Sequence, residues 1–371
     1  MFKEFFETWK NVNNAINLQY LWREIVFYSE GPWLTNHFTP IIRELTDKRD
    51  RKVTFLASSK EDKINLTNSN NLKKIYVGNQ SARTYLFRKF NAKLMIMSTP
   101  NLQSMQLKKE KNTKYYYLHH SPYSTHMIYE ENAFDDFDGM FCVGPHHVNE
   151  VTEREENKSL NKKNLLESGY PNFDYLKNTT NKLVKKNQIL IAPSWGENSI
   201  VNLCLFSLVK KLTDLKYNVI LRPHSRSYIK NKKKLFKVIK YFEGNEYFEL
   251  DTNPDSSDSM NRSEILITDW SGISFEYLIQ NKPIIFIDVP PKINNKNYKK
   301  VNYLPIEISM RNEIGELINF NDIDKLDSNI LKNKISIAAN KILNNKKFFS
   351  NNFYNFGNSV NAICNQIEQI K

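Results

Sequence analysis

Short apolar runs recur along this chain with amphipathic stretches between them, and that cadence narrows the fold more than any other feature. In the first half the runs are IVFYS (25–29), VTFLAS (53–58), LMIMST (94–99), YYYLHH (115–120) and GMFCVG (139–144). The second half has QILIAPS (188–194), NVILRPH (218–224), EILITDW (264–270) and PIIFIDV (283–289). Between them, PIIREL (40–45), VNEVTEREEN (148–157), NLCLFSLVKKL (202–212), KKLFKVIKYF (233–242) and ISFEYLIQN (273–281) read as helices. Strands buried on both faces and separated by helices build parallel sheets. The pattern therefore predicts an α/β protein with two Rossmann-like domains facing each other across a cleft. A length of 371 residues suits two such cores. The polar stretch KNTTNKLVKKN (177–187) marks the junction. The expected division is 1–180 for an N-terminal Rossmann-like domain, 181–345 for a C-terminal Rossmann-like domain, and 346–371 for a terminal helix packing back on the first domain.

Composition removes several other classes. With 40% hydrophobic residues and only 10 Gly and 13 Pro, the chain is neither collagen-like nor largely disordered. Three widely spaced cysteines, Cys142, Cys204 and Cys364, form no CxxC and point to a reducing cytosol rather than a disulfide framework or zinc ribbon. No run is long enough to span a membrane, and MFKEFFETWK lacks a signal-peptide apolar segment. Phe2, Phe5, Phe6 and Trp9 are set at helical spacing, which predicts an opening helix packed on the domain through these rings. The net charge of +13 reflects a bias toward Lys and Asn, as in KNKKK (230–234), or an acidic partner: nucleotide phosphates, a polyanionic product or an anionic membrane. Nucleic acid is not expected, because no helix-turn-helix, KH or RNP-like motif is present.

In parallel sheets ligands bind beyond the carboxyl ends of the strands. Six of the seven histidines follow a strand in this way, the exception being His37. His119, His120, Ser121 and His126 follow YYYL; His146 and His147 follow MFCVG; Pro193 and Ser194 follow ILIA. Arg222 and His224 follow VIL, and Asp269, Ser271 and Gly272 follow ILIT and open the helix ISFEYLIQ. A histidine cluster in a cleft suits general acid–base work or phosphate contact. Strand alternation predicts that only one of His119 and His120 points into the cleft. Ser271-Gly272 reads as an anion site at a helix N-terminus or as a plain cap. Arg222 and His224 favour the anion site, since Arg matches phosphate oxygens. A zinc site among His119, His120, His126, His146 and His147 has no HExxH or carboxylate-backed spacing behind it. GxSxG, GxGxxG and the P-loop pattern are all absent.

The segments HSPYSTHMIY, FDDFDGMFCVGPHHVNEV, LLESGYPNFDYL, ILIAPSW, LRPH and ILITDWSGISFEYLIQNKPIIF occur here in that order. Their order resembles the CDP-glycerol glycerophosphotransferase family, the teichoic-acid primases and polymerases and their relatives in capsule loci. The likeness covers roughly residues 110–290, and its most specific block, ITDWSG-helix-KPIIF, is similar to the family's ITDYSS-helix-RPxIFF. The resemblance implies a GT-B-like fold, acceptor binding by the first domain, donor binding mostly by the second, no metal or other cofactor, and peripheral attachment to the cytoplasmic face of the membrane. It places His120 on the histidine of the family's HGT motif and His224 on its second functional histidine. Ser271 and Gly272 fall on its serine pair and Glu276 on an acidic position one turn in. HGT reads His120-Ser121-Pro122 here, and the second serine of the pair is Gly272.

The expected activity is transfer of glycerol phosphate, or a related alditol or sugar phosphate, from a CDP-activated donor to a hydroxyl of a lipid-linked or polymeric glycan, releasing CMP. His120 and His224 are the expected catalytic groups. Arg222, Ser271, Gly272 and Ser194 are expected at the donor phosphates, Pro193, Glu276 and Asp269 at the nucleotide, and His119, Ser121, His126 and His146 on the acceptor side. A GT-B glycosyltransferase or nucleotide-sugar epimerase is the alternative enzyme, and a polyanion- or lipid-binding assembly factor the non-enzymatic alternative.

Overall fold

Nine apolar runs become the inner strands of two parallel sheets in a computed structural model of the chain, which describes residues 2–62, 70–179, 184–253, 255–345 and 347–370, with Phe2, Lys3 and Asn36 described by backbone alone. The side chain of Phe2 and residues 180–183 of the expected junction lie outside the described residues. The chain divides into two units: residues 1–175, 297–303 and 352–371 form the first, and 176–296 and 304–351 the second.

The first unit carries a seven-stranded sheet. Its strands are β1 (Ile25–Ser29), β2 (Val53–Ala57), β3 (Leu72–Tyr76), β4 (Leu94–Met97), β5 (Lys114–Leu118), β6 (Gly139–Cys142) and β7 (Asn164–Glu167). They lie in the order β3-β2-β1-β4-β5-β6-β7, with every pairing parallel. β1 and β2 are buried along their whole length, as an inner strand covered on both faces must be. One face packs Val26, Tyr28, Met95, Tyr115, Tyr117 and Met140. The other packs Phe27, Phe55, Ile96 and Phe141 with Phe38 and Ile41 of the helix Pro32–Arg43. Ile363, Cys364 and Ile367 of the helix Ser359–Gln369 join this second cluster, so the end of the chain completes the first core.

The opening helix, Phe2–Ile16, packs differently from its sequence expectation. Val12 and Ala15 are fully buried and Trp9 meets the Tyr85 ring, whereas Phe5 and Phe6 are 54% and 69% exposed. The buried face starts at Thr8 and Trp9, one turn after Phe5.

The second unit carries β8 (Gln188–Ile191), β9 (Asn218–Leu221), β10 (Phe248–Leu250), β11 (Ile265–Thr268), β12 (Ile284–Asp288) and β13 (Glu316–Asn319). Their order is β10-β9-β8-β11-β12-β13, again all parallel. In both sheets the winding reverses beside the first strand, which sets a switch point between β1 and β4 and another between β8 and β11. The expected helix at 202–212 is broken at Cys204 into Ile200–Leu203 and Leu205–Asp214. The helix expected over 273–281 is α-helical only for Ile273–Leu278 and continues as tighter turns to Asn281. Lys282 then donates three hydrogen bonds, to the carbonyls of Met260, Asn261 and Ser263, and so caps the helix Ser257–Arg262.

Candidate functional site

In the first unit, β5 stops at Leu118 and the two histidines after it part company. His119 is 1% exposed, with its ring 3.9 Å from that of His147 and 4.9 Å from that of Tyr117. Neither of its ring nitrogens has a hydrogen-bond partner. Burial, together with the neighbouring His147, His120 and His146 rings, drives its pKa well below the ordinary value. His120 is half-buried. Its Nδ1 lies 3.3 Å from Tyr117 Oη, and Tyr170 donates its hydroxyl to the His120 carbonyl at 3.0 Å. Tyr170 belongs to the GYPNFD segment, whose physical job is thereby visible: it fixes the backbone that presents His120.

Three further histidines, His126, His146 and His147, are hydrogen-bonded in and around the loop that follows His120. His146 and His147 open the helix Pro145–Lys158 and pin the loop after His120. His146 Nε2 donates to the Pro122 carbonyl at 3.0 Å and His147 Nε2 to that of Tyr123 at 2.8 Å. His147 Nδ1 accepts the Val143 N–H, so both nitrogens of that neutral ring are used. His126 is buried, with Nδ1 3.2 Å from Glu150 and Nε2 bonded to the Tyr303 carbonyl. The N–H and hydroxyl of Thr125 also donate to Glu150. Burial raises the Glu150 carboxyl, but His126 and its neighbouring histidines outweigh it and hold the pKa below the ordinary value. Of the residues expected on the acceptor side, His126 and His146 are hydrogen-bonded in and around this loop, and His119 lies buried against the His147 and Tyr117 rings. Ser121 Oγ accepts the Tyr123 N–H in the same loop.

One histidine the sequence set aside belongs here. His37, on the helix Pro32–Arg43, lies with its ring 6.3 Å from that of His120, and burial with the nearby His120 lowers its pKa to about 3. It sits inside a helix and not in a strand-end loop, so no sequence signal placed it beside His120.

In the second unit the strand ends converge. Asp269 is 1% exposed, and its carboxylate accepts the N–H of Ser194 at 2.6 Å and of Ile200 at 2.9 Å. Burial raises its pKa against those bonds and the Ser194 side chain. Ser194 is itself 3% exposed and Pro193 is buried, and the bond from the Ser194 N–H to Asp269 ties the end of β8 to the end of β11. Thr268 donates to the Ala192 carbonyl and reinforces the same junction.

Ser271, Gly272 and Glu276 are half-buried around the short helix Ile273–Leu278. Arg222 pairs with Asp251 at 2.7 Å. Burial raises the Asp251 carboxyl, but the Asn253 N–H, Ser259 and Arg222 outweigh it. His224 is exposed and its Nδ1 accepts the Arg226 N–H at 3.1 Å, which leaves the proton of the neutral ring on Nε2. The Trp195 ring lies 6.2 Å from that of His224, with the Arg226 guanidinium 4.7 Å and the Lys292 ammonium 3.9 Å from its centroid. Burial pulls Lys292 down to about 8, opposed by Asp269. Trp195 and Arg226 stand in the strand-end segments PSWG and RPHSR without an expected role, and Lys292 carried no sequence signal beyond the general abundance of lysine. Among the described residues no three His, Cys, Asp or Glu side chains form a group that could hold a metal ion.

The comparisons with known proteins meet this geometry. A family model described as CDP-glycerol:poly(glycerophosphate) glycerophosphotransferase matches residues 20–368. A teichoic acid poly(glycerol phosphate) polymerase of Bacillus spizizenii is 31% identical over 145 residues, 34% of this chain and 35% of that protein. The match thus spans about a third of the length of that curated relative. Among solved structures, the wall teichoic acid polymerase TagF aligns with a TM-score of 0.61 at 17% identity, over 100% of this chain and 98% of that one. A UDP-N-acetylglucosamine 2-epimerase from Listeria monocytogenes, described as putative, aligns at 0.60 and 13% identity over 92% and 94%. At these identities the structural likeness carries the fold, two Rossmann-like units of the GT-B type. The family model covers both units and the segments that frame His120 and His224. By that match the chain belongs to the CDP-glycerol:poly(glycerophosphate) glycerophosphotransferase family.

Proposed function

We propose that this protein transfers glycerol phosphate, or a related alditol or sugar phosphate, from a CDP-activated donor to a hydroxyl of a lipid-linked or polymeric surface glycan, with CMP as the leaving group. Family membership supports the donor class. The observation that carries the reading is His120, an accessible imidazole whose Nδ1 is engaged by Tyr117 and whose backbone is held by Tyr170. In the proposed step the neutral ring donates Nδ1–H to Tyr117, which leaves the Nε2 lone pair to take the acceptor's proton. The acceptor oxygen bonds to the β-phosphorus of the donor. The bond from that phosphorus to the oxygen bridging to CMP breaks, and CMP leaves with the electron pair.

Phosphoryl transfer asks a protein mainly for positioning and charge neutralisation. His224, through Nε2–H, and Ser271 with Gly272 contact the donor phosphates in this reading. Arg222, anchored by Asp251, adds charge, and Glu276 holds ribose hydroxyls. A peripheral site on the cytoplasmic face of the membrane suits the lipid-linked acceptor and the charge of +13; among the described residues no helix is long and apolar enough to cross a membrane.

The competing reading is nucleotide-sugar chemistry, which the fold likeness to the epimerase favours. A thermal-shift screen of CDP-glycerol, CDP-ribitol, CMP and UDP-sugars, followed by identification of the released nucleotide, separates the two. The proposal expects stabilisation by a CDP-alditol and release of CMP. Stabilisation by UDP-sugars alone, with UDP released or the sugar epimerised, would replace it.

A further inference from the structure

Two groups expected to neutralise the donor are weaker than their sequence suggested. Arg222 already has Asp251 as an ionic partner at 2.7 Å. The helix behind Ser271 has only six residues, too few for a strong macrodipole. A diphosphate in this unit therefore needs cations from elsewhere.

Lys292 and Arg226 are placed to supply them. Both converge on Trp195, and the three residues come from the loops after β12, β9 and β8, on the carboxyl edge of one sheet. Among the described residues neither cation forms an ion pair. Asp269, the carboxylate that acts on Lys292, spends both oxygens on the backbone of Ser194 and Ile200. Taking an ammonium out of water is costly when the one carboxylate that acts on it is already committed to backbone N–H groups. A bound anion would offset that cost. The indole face orients both cations, and the planar guanidinium adds the fork that fits two phosphate oxygens.

We propose that Lys292 and Arg226, held against Trp195, form the cationic seat for the diphosphate of the nucleotide donor. The inference rests on the reading of this protein as a user of nucleotide-activated donors, and it concerns binding residues, not the proton-transfer machinery.

The test is CDP and UDP binding to the full chain by calorimetry, comparing wild type with Lys292→Met, Arg226→Met and Lys292→Arg. Loss of a charge-assisted phosphate contact weakens binding by about tenfold or more, so each Met variant is expected to fall by that amount. Lys292→Arg is expected to stay within a few-fold of wild type, and all variants to keep the wild-type melting temperature. Restored binding in Lys292→Arg separates a charge contact from a packing defect. Wild-type affinity for CDP in Lys292→Met overturns the inference while leaving the proposed donor intact. Binding of UDP and not CDP, still lost in Lys292→Met, overturns the CDP donor while keeping the seat. A wild-type protein that binds neither nucleotide overturns both.

Discussion

Tyr117 does for His120 what no sequence pattern could state. Its hydroxyl lies 3.3 Å from Nδ1, and where it accepts the Nδ1 proton the Nε2 lone pair is free to act as a base, the arrangement the proposed step uses. Tyr117→Phe is therefore expected to lower kcat about tenfold with donor KM nearly unchanged, because the ring stays in place but loses its preferred tautomer. Steady-state kinetics decide it: an unchanged kcat removes Tyr117 from the account, and a rise in KM alone makes its role one of packing. His120 was legible because it follows a strand in a sheet of this kind. Lys292 was not, since one lysine in PPKINNK looks like the many others, and only the fold brings it to Trp195. His37 was hidden for the opposite reason: it sits mid-helix, where the sequence offers no sign of His120, 83 positions further on, whose ring lies 6.3 Å away.

The inner strands announced themselves and the edge strands did not. β3, β7, β10 and β13, the four edges, are half-exposed segments such as LKKIY and ELIN, with too few apolar residues to stand out. Polar edges are what keeps a sheet from pairing with other chains. The same scale explains GPHHVNEV, which looked like a cluster for chemistry and proves to be a clamp: one helix start holds Pro122, Tyr123 and Thr125. The clamp has a pH consequence. His119 and His147 are pushed below the ordinary histidine value by burial, His147 to about 3, so both are neutral when folded and take up protons on unfolding. Their share of stability is complete above the unfolded value near ~6.5 and falls as pH drops below it, by up to ~1.4 kcal/mol per pH unit for each. Urea unfolding at pH 7.5 and 5.5 should show that loss. His119→Phe, which removes two unpartnered ring nitrogens, should flatten the slope without loss of stability at pH 7.5. An unaltered slope would mean His119 does not titrate on unfolding.

At the scale of the molecule, two sheets wound in the same order explain why one cadence of strand and helix runs through the whole sequence. In sheets wound this way ligands bind beyond the carboxyl ends of the strands at the switch point, and the family model spans both sheets. The final helix contributes Ile363, Cys364 and Ile367 to the first core, so the first unit draws on residues from both ends of the chain. The central claim is that His120 acts as the base in transfer from a CDP-linked donor. Turnover of CDP-glycerol by purified wild type and His120→Ala, with CDP binding measured on the same samples, tests it most directly. The account predicts CMP release that falls by about 10²–10⁴-fold in the variant while CDP affinity and melting temperature stay at the wild-type level. CMP release by His120→Ala at the wild-type rate would contradict it.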